Sequence, residues 1–255
     1  METVTHHGRE TSYRRYDRGG DGEPVLCVHG SGGSHAVWEP LGGLDGDRPL
    51  IALDLSGHGD SPDIAATAGY EALSAYVDDT LAVAEATDAG VLCGNALGGA
   101  VVLTLLLERE FDASAVVLTG TGARLAVMDD LLRWLQSDFE RAIEFLSGPD
   151  RFFHDPSSAP VDVSTDALRT AGRAVTERDF RTCHEFDVRG RLDEISTPAL
   201  ALAGEYDRLT PPWYHEALAE RIPNGEWETV DDAAHLAMLE RPDAFDAPVS
   251  AFLDG

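Results

Sequence analysis

Short runs of almost uniformly apolar residues alternate with longer stretches of helical spacing along most of this chain. That is the pattern of strands buried on both faces of a parallel sheet, with helices between them. The runs fall at 24–28, 50–53, 91–93, 115–118 and 198–203, with a more mixed one at 227–230. Ahead of them, 2–7 and 10–16 read as a polar hairpin about Gly8 at a sheet edge, ending in the turn-rich stretch 17–22. Leu73, Tyr76, Val77, Leu81 and Ala84 mark one face of an amphipathic helix over 70–86. A second helix over 100–107 is apolar nearly all round and should be buried, and a last helix over 242–253 closes the chain. Between 125 and 191 the alternation lapses. Leu131, Leu132, Leu135, Phe139, Ile143 and Leu146 recur at helical spacing, a Pro- and Ser-rich loop follows at 155–160, and more helix comes after it. The pattern predicts an α/β fold: a mostly parallel sheet with helices on both faces. Its core is built from 1–124 and 192–255, with 125–191 as a helical cap inserted after the sixth strand.

Composition changes the picture at the surface. The chain of 255 residues carries 46 acidic and 19 basic residues, a formal charge of -27, and every basic residue is arginine. So much charge of one sign repels itself at low salt, but at roughly 1 M salt the Debye length falls to about 3 Å and most of that repulsion is screened. Adaptation to a salty cytoplasm is the reading that follows. Nucleic acid and anionic membranes are excluded as partners, because phosphate binding needs a basic stripe and there is none. The three cysteines, Cys27, Cys93 and Cys183, show no metal-type spacing, and the first two lie inside apolar strands, which suits reduced core residues. With no leader pattern and no apolar run of about 18 residues, a cytoplasmic, soluble protein with a small-molecule substrate is expected.

The candidate chemistry lies where strands end. The strand at 91–93 runs through Gly94-Asn95-Ala96-Leu97-Gly98 straight into the apolar helix, which is a strand-to-helix elbow with alanine at the position of the usual serine. His29-Gly30-Ser31-Gly32-Gly33-Ser34 follows the first buried strand and could turn backbone N–H groups toward an oxyanion, or be a plain glycine-rich turn. Asp54 and His58, in the loop 54–61, read as turn residues held by local hydrogen bonds. Asp207, just beyond the strand at 198–203 and ahead of a proline pair, is well placed to hold a histidine. His235 follows the last strand and is the candidate base.

Taken together, these motifs and their order resemble the α/β-hydrolase family over nearly the whole chain. The resemblance rests on His29-Gly30 and its loop, 54–61, 94–99, Gly204-Glu205-Tyr206-Asp207 and Ala234-His235-Leu236. It implies that position 96 attacks, that His235 is the general base oriented by Asp207, and that the amides of Ser31 and Leu97 form an oxyanion hole. It also implies action on ester, thioester or lactone bonds with neither metal nor organic cofactor. Ala96 has no lone pair to donate, so no acyl-enzyme can form through it. Three readings stay open: a Ser-to-Ala form of a serine hydrolase, a native alanine with His235 activating water or shuttling protons, and a ligand-binding pseudoenzyme. Relatives proposed as aminoacrylate hydrolases are similar in carrying alanine here. Gly30, Trp38, Trp134 and Phe139 are the candidate pocket residues, with Met128, Phe145, Phe152 and Phe153 as further apolar side chains of the insertion, although packing of the cap on the core is the better reading for most of the large ones; Arg181 and His184 could meet a polar substrate end, solvated surface being the better reading for both.

Overall fold

A computed structural model describes residues 1–16, 19–42 and 46–255. Asp17 and Arg18, at the start of the turn expected over 17–22, lie outside the described residues. Among those described, eight strands form one sheet: β1 (Glu2–His6), β2 (Arg9–Tyr16), β3 (Val25–Val28), β4 (Leu50–Asp54), β5 (Val91–Asn95), β6 (Ala115–Thr119), β7 (Ala199–Gly204) and β8 (Gly225–Val230). The helices are α1 (Glu39–Gly42), α2 (Tyr70–Thr87), α3 (Leu97–Glu108), α4 (Asp129–Ser137), α5 (Phe139–Leu146), α6 (Val161–Glu185), α7 (Pro212–Arg221), α8 (Ala237–Glu240) and α9 (Pro242–Asp254).

The strand order is β1-β2-β4-β3-β5-β6-β7-β8. β1 and β2 form an antiparallel hairpin whose His7-Gly8 loop has φ of 46° and 76°, the positive pair that a tight two-residue turn requires. β2 joins β4 antiparallel, and every later pairing is parallel. The α/β-hydrolase architecture read from the apolar runs is therefore the one observed. Alternation along the buried strands divides the core in two: Leu26 and Val28 face α2 and α3, while Val25 and Cys27 face the side holding Trp38, Phe245 and Val249.

Two features set up the site. The strand order reverses beside β3, with β4 on one side and β5 on the other, so the chain leaves β3 and β5 in divergent directions and opens a crevice at their C-terminal ends. Above that edge, α4, α5 and α6 intervene between β6 and β7. Asp138 ends α4 and begins α5, its carboxylate accepting from the Arg141 amide, so the apolar spacing that runs through 131–146 is two helices rather than one. Within α6, Gly172 takes φ 76° and ψ 168°, which kinks the helix.

Candidate active site

The elbow between β5 and α3 is held by backbone packing. Ala96 adopts φ 51° and ψ -110°, and its amide donates to the Thr119 carbonyl at 3.0 Å. A Cβ on Gly94 would come within 2.5 Å of the Gly98 carbonyl oxygen, and one on Gly98 within 2.1 Å of the Val28 oxygen. Only glycine lets strand, helix and the neighbouring β3 approach this closely. Thr121 Oγ1 donates to the Ala96 carbonyl at 2.8 Å, and the Thr121 amide in turn donates to His215 Nε2 at 3.1 Å. Burial lowers the His215 pKa to about 4, so this imidazole is a neutral acceptor.

Asp207 and His235 meet at the same edge. His235 Nδ1 lies 2.8 Å from Asp207 Oδ2 and both side chains are buried. The Asp207 carboxylate also accepts from the amides of Leu209 at 2.7 Å and Thr210 at 2.9 Å, and from Thr210 Oγ1 at 2.8 Å. Burial opposes its charge, but His235 and these donors outweigh burial and hold the carboxyl below its ordinary range. An ionised carboxylate only accepts, so the shared proton belongs to Nδ1 and Nε2 is the nitrogen left for the cavity. Phe152 stacks on the imidazole, with ring centroids 6.1 Å apart. Asn95 Nδ2 donates to the His235 carbonyl at 3.2 Å, tying the elbow to the histidine loop.

A cavity of about 230 Å³ lies above the elbow, lined by Gly30, Ser31, Ala96 and His235 among others. In the glycine-rich loop the Gly32 amide is bound to Asp179 Oδ2 at 2.9 Å and the Gly33 amide to the Gly30 carbonyl at 3.0 Å. Leu97 is the first residue of α3, so its N–H has no intrahelical acceptor. Of the expected apolar residues, Gly30, Met128, Phe145 and Phe152 line the cavity. Trp38, Trp134 and Phe139 do not. Trp38 is inside the core, edge-on to Phe245 at 6.4 Å; Trp134 packs on Phe145 and under the Arg141 guanidinium; Phe139 is half-buried against the core. Phe153 is wholly buried, His184 binds the Val127 carbonyl and Arg181 pairs with Glu177, and none of the three is itself among the residues lining the cavity.

His58 departs from the expectation of purely local bonding. Its Nδ1 does meet the Ser56 carbonyl at 3.2 Å, but Nε2 pairs with Asp179 of α6 at 2.8 Å in full burial. Tyr76 donates to the other Asp179 oxygen at 2.7 Å. Asp54 likewise reaches beyond its own loop: its carboxylate takes the amide of Asp60 but also the amide and Nδ1 of His35, which follows the glycine-rich loop. Sequence spacing gave no sign of Asp179, since its partners lie on other elements, nor of Thr210, whose bonds to Asp207 three residues earlier are those of an ordinary turn hydroxyl. None of the three cysteines is in a disulfide; Cys93 stays inside β5, whereas Cys183 reaches the cavity wall 3.5 Å from Ser31 Oγ, its thiol pushed up to about 12 by burial.

A profile for the alpha/beta hydrolase family matches residues 25–247. The pimeloyl-[acyl-carrier protein] methyl ester esterase of Neisseria meningitidis is 29% identical over 252 residues, covering 91% of this chain and 77% of that protein. RutD of Variovorax paradoxus, named for carbamate hydrolysis, is 28% identical over 264 residues, covering 91% of this chain and 92% of that protein. Among solved structures, a thermophilic esterase superposes with a TM-score of 0.85 at 27% identity, over 99% of this chain and 96% of that one.

Proposed function

Since this chain belongs to the alpha/beta hydrolase family, we propose that it hydrolyses carboxylic ester-like bonds, in esters, thioesters, lactones or carbamates, of small substrates held above Ala96. The observation that carries the reading is the Asp207–His235 pair, intact and opening on the same cavity as the elbow. A protein that only bound its ligand would need the cavity but not a buried carboxylate aligning an imidazole. The relatives named for ester and carbamate hydrolysis, alike over 91% of the chain, point to the same chemistry.

In this reading Asp207 fixes the tautomer and orientation of His235. Nε2 takes a proton from water as the water oxygen bonds to the substrate carbonyl carbon. The amides of Ser31 and Leu97 meet the charge that develops on the carbonyl oxygen. When the tetrahedral intermediate collapses, the bond to the leaving group breaks and the imidazolium returns its proton to that group. Residues 125–191 act as a cap that walls the cavity on the side away from the sheet. Water replaces the hydroxyl that a serine-type member of the family would supply at position 96, so turnover is slow. In a well-studied serine protease, losing the nucleophile costs about 10⁶ in turnover, which sets the scale of the handicap.

The test compares the chain with His235→Ala, Ala96→Ser and the Ala96→Ser/His235→Ala double variant, on a panel of short esters, a thioester, a lactone and a carbamate at molar salt. Slow turnover abolished by His235→Ala is expected, together with a gain of several orders of magnitude and a burst phase in Ala96→Ser. A folded Ala96→Ser protein inert on the whole panel, or turnover indifferent to His235, would overturn the reading.

A further inference from the structure

The cavity wall is electrostatically one-sided. Arg151 and Arg208 both line it beside His235, and among the described residues no aspartate or glutamate does, in a chain with 46 acidic residues. Both arginines are fixed by one short segment that bridges the two loops of the Asp207–His235 pair. The Asp150 carbonyl accepts from the Arg208 amide at 3.1 Å, the Arg151 carbonyl from the His235 amide at 3.0 Å, and the Phe152 carbonyl from the Leu236 amide at 2.9 Å. The Arg151 guanidinium lies 4.3 Å over the Phe145 ring and donates to the Pro149 carbonyl at 2.8 Å; it makes no ion pair within the described residues. Arg208 is held at 2.9 Å by Asp150, whose carboxylate it shares with His154. Val127, Met128, Leu131, Leu168 and Phe180 make up an apolar part of the same lining.

A net charge of -27 repels an anion from this surface at large. Two guanidinium groups on the wall of the cavity reverse that locally. We propose that the substrate is anionic: an ester or carbamate bearing a carboxylate that Arg151 receives, with Arg208 as a second, more exposed contact. A guanidinium with an unpaired edge takes a carboxylate through two parallel N–H···O bonds, which fixes orientation as well as charge. The substrate's apolar portion then lies against those apolar side chains. The inference rests on the hydrolase reading and narrows its substrate class.

The experiment measures calorimetric affinities of the unaltered chain for a dicarboxylic acid monomethyl ester and for the matching uncharged dimethyl ester, at about 0.1 M and about 2 M salt. The half-ester should bind about 5- to 10-fold more tightly at low salt, as one partly exposed charge-assisted contact allows, and the margin should shrink at high salt. Arg151→Gln should bring the two affinities together; Arg208→Gln, at an exposed site, should narrow the gap and serves should the first variant fail to fold. Equal affinities in the unaltered chain, or a preference that survives Arg151→Gln, would overturn the proposal. Ala96→Ser assayed on the same pair separates the two readings. Turnover of both esters without preference rejects the anionic substrate alone, whereas tight half-ester binding without turnover rejects hydrolysis alone.

Discussion

At φ 51° and ψ -110°, Ala96 occupies a region that side chains avoid, and such positions cost about 1–3 kcal/mol. The strain is present although alanine carries no attacking atom. Ala96→Gly relieves the clash while adding freedom to the unfolded chain, and should stabilise the protein by about 1 kcal/mol net. Chemical denaturation of the two proteins checks this, and a loss of stability in the glycine variant would show that the elbow is not strained. Ala96, Asp207 and His235 were legible in the sequence because each follows a strand end in a fixed order. Trp38, Trp134 and Phe139, candidates for the pocket, lie outside its lining for a different reason. Spacing says that an aromatic side chain is covered, not whether protein or substrate covers it, and here Phe245, Phe145 and the core do so.

Among elements, α6 does more than its sequence suggests. Asp179 on this helix is bound at once by the Gly32 amide, His58 and Tyr76, so one carboxylate ties the glycine-rich loop, the loop after β4 and α2 together. Arg178 extends the cluster through Tyr76 and Asp63, and the His29 ring lies tilted against His58 with centroids 4.8 Å apart. Burial opposes both charges, yet mutual attraction and hydrogen bonds prevail: the Asp179 carboxyl is held low and the His58 imidazole high. The pair's contribution is thus complete between the unfolded pKa values of about 4 and about 6.5. It is lost as pH falls through the lowered Asp179 value, and again as pH rises through the raised His58 value. Asp179→Asn should cost about 3 kcal/mol inside that window and less outside it. Stability curves of both proteins across pH test this, a constant difference being the contrary result. The buried strands were legible because uniform apolar runs have few other uses. Helix α7 has no counterpart in the sequence pattern, where the proline pair marks only the stretch after Asp207, although proline at the first helical position is a start signal as well.

For the whole molecule, the charge of -27 sets the solvent it suits. Self-repulsion acts over about 10 Å at 0.1 M salt and about 3 Å at 1 M, so the thermal midpoint should climb between those concentrations. A midpoint that stayed level would remove the case for salt adaptation. Fold and charge place different demands on the sequence. The acidic surface can change residue by residue, whereas the elbow depends on Gly94 and Gly98 pressed against backbone from three elements. Nothing in that packing refers to the side chain at position 96. The elbow is therefore a socket: its shape is guaranteed by the architecture, and the reactive atom it presents can be exchanged or omitted without the architecture noticing.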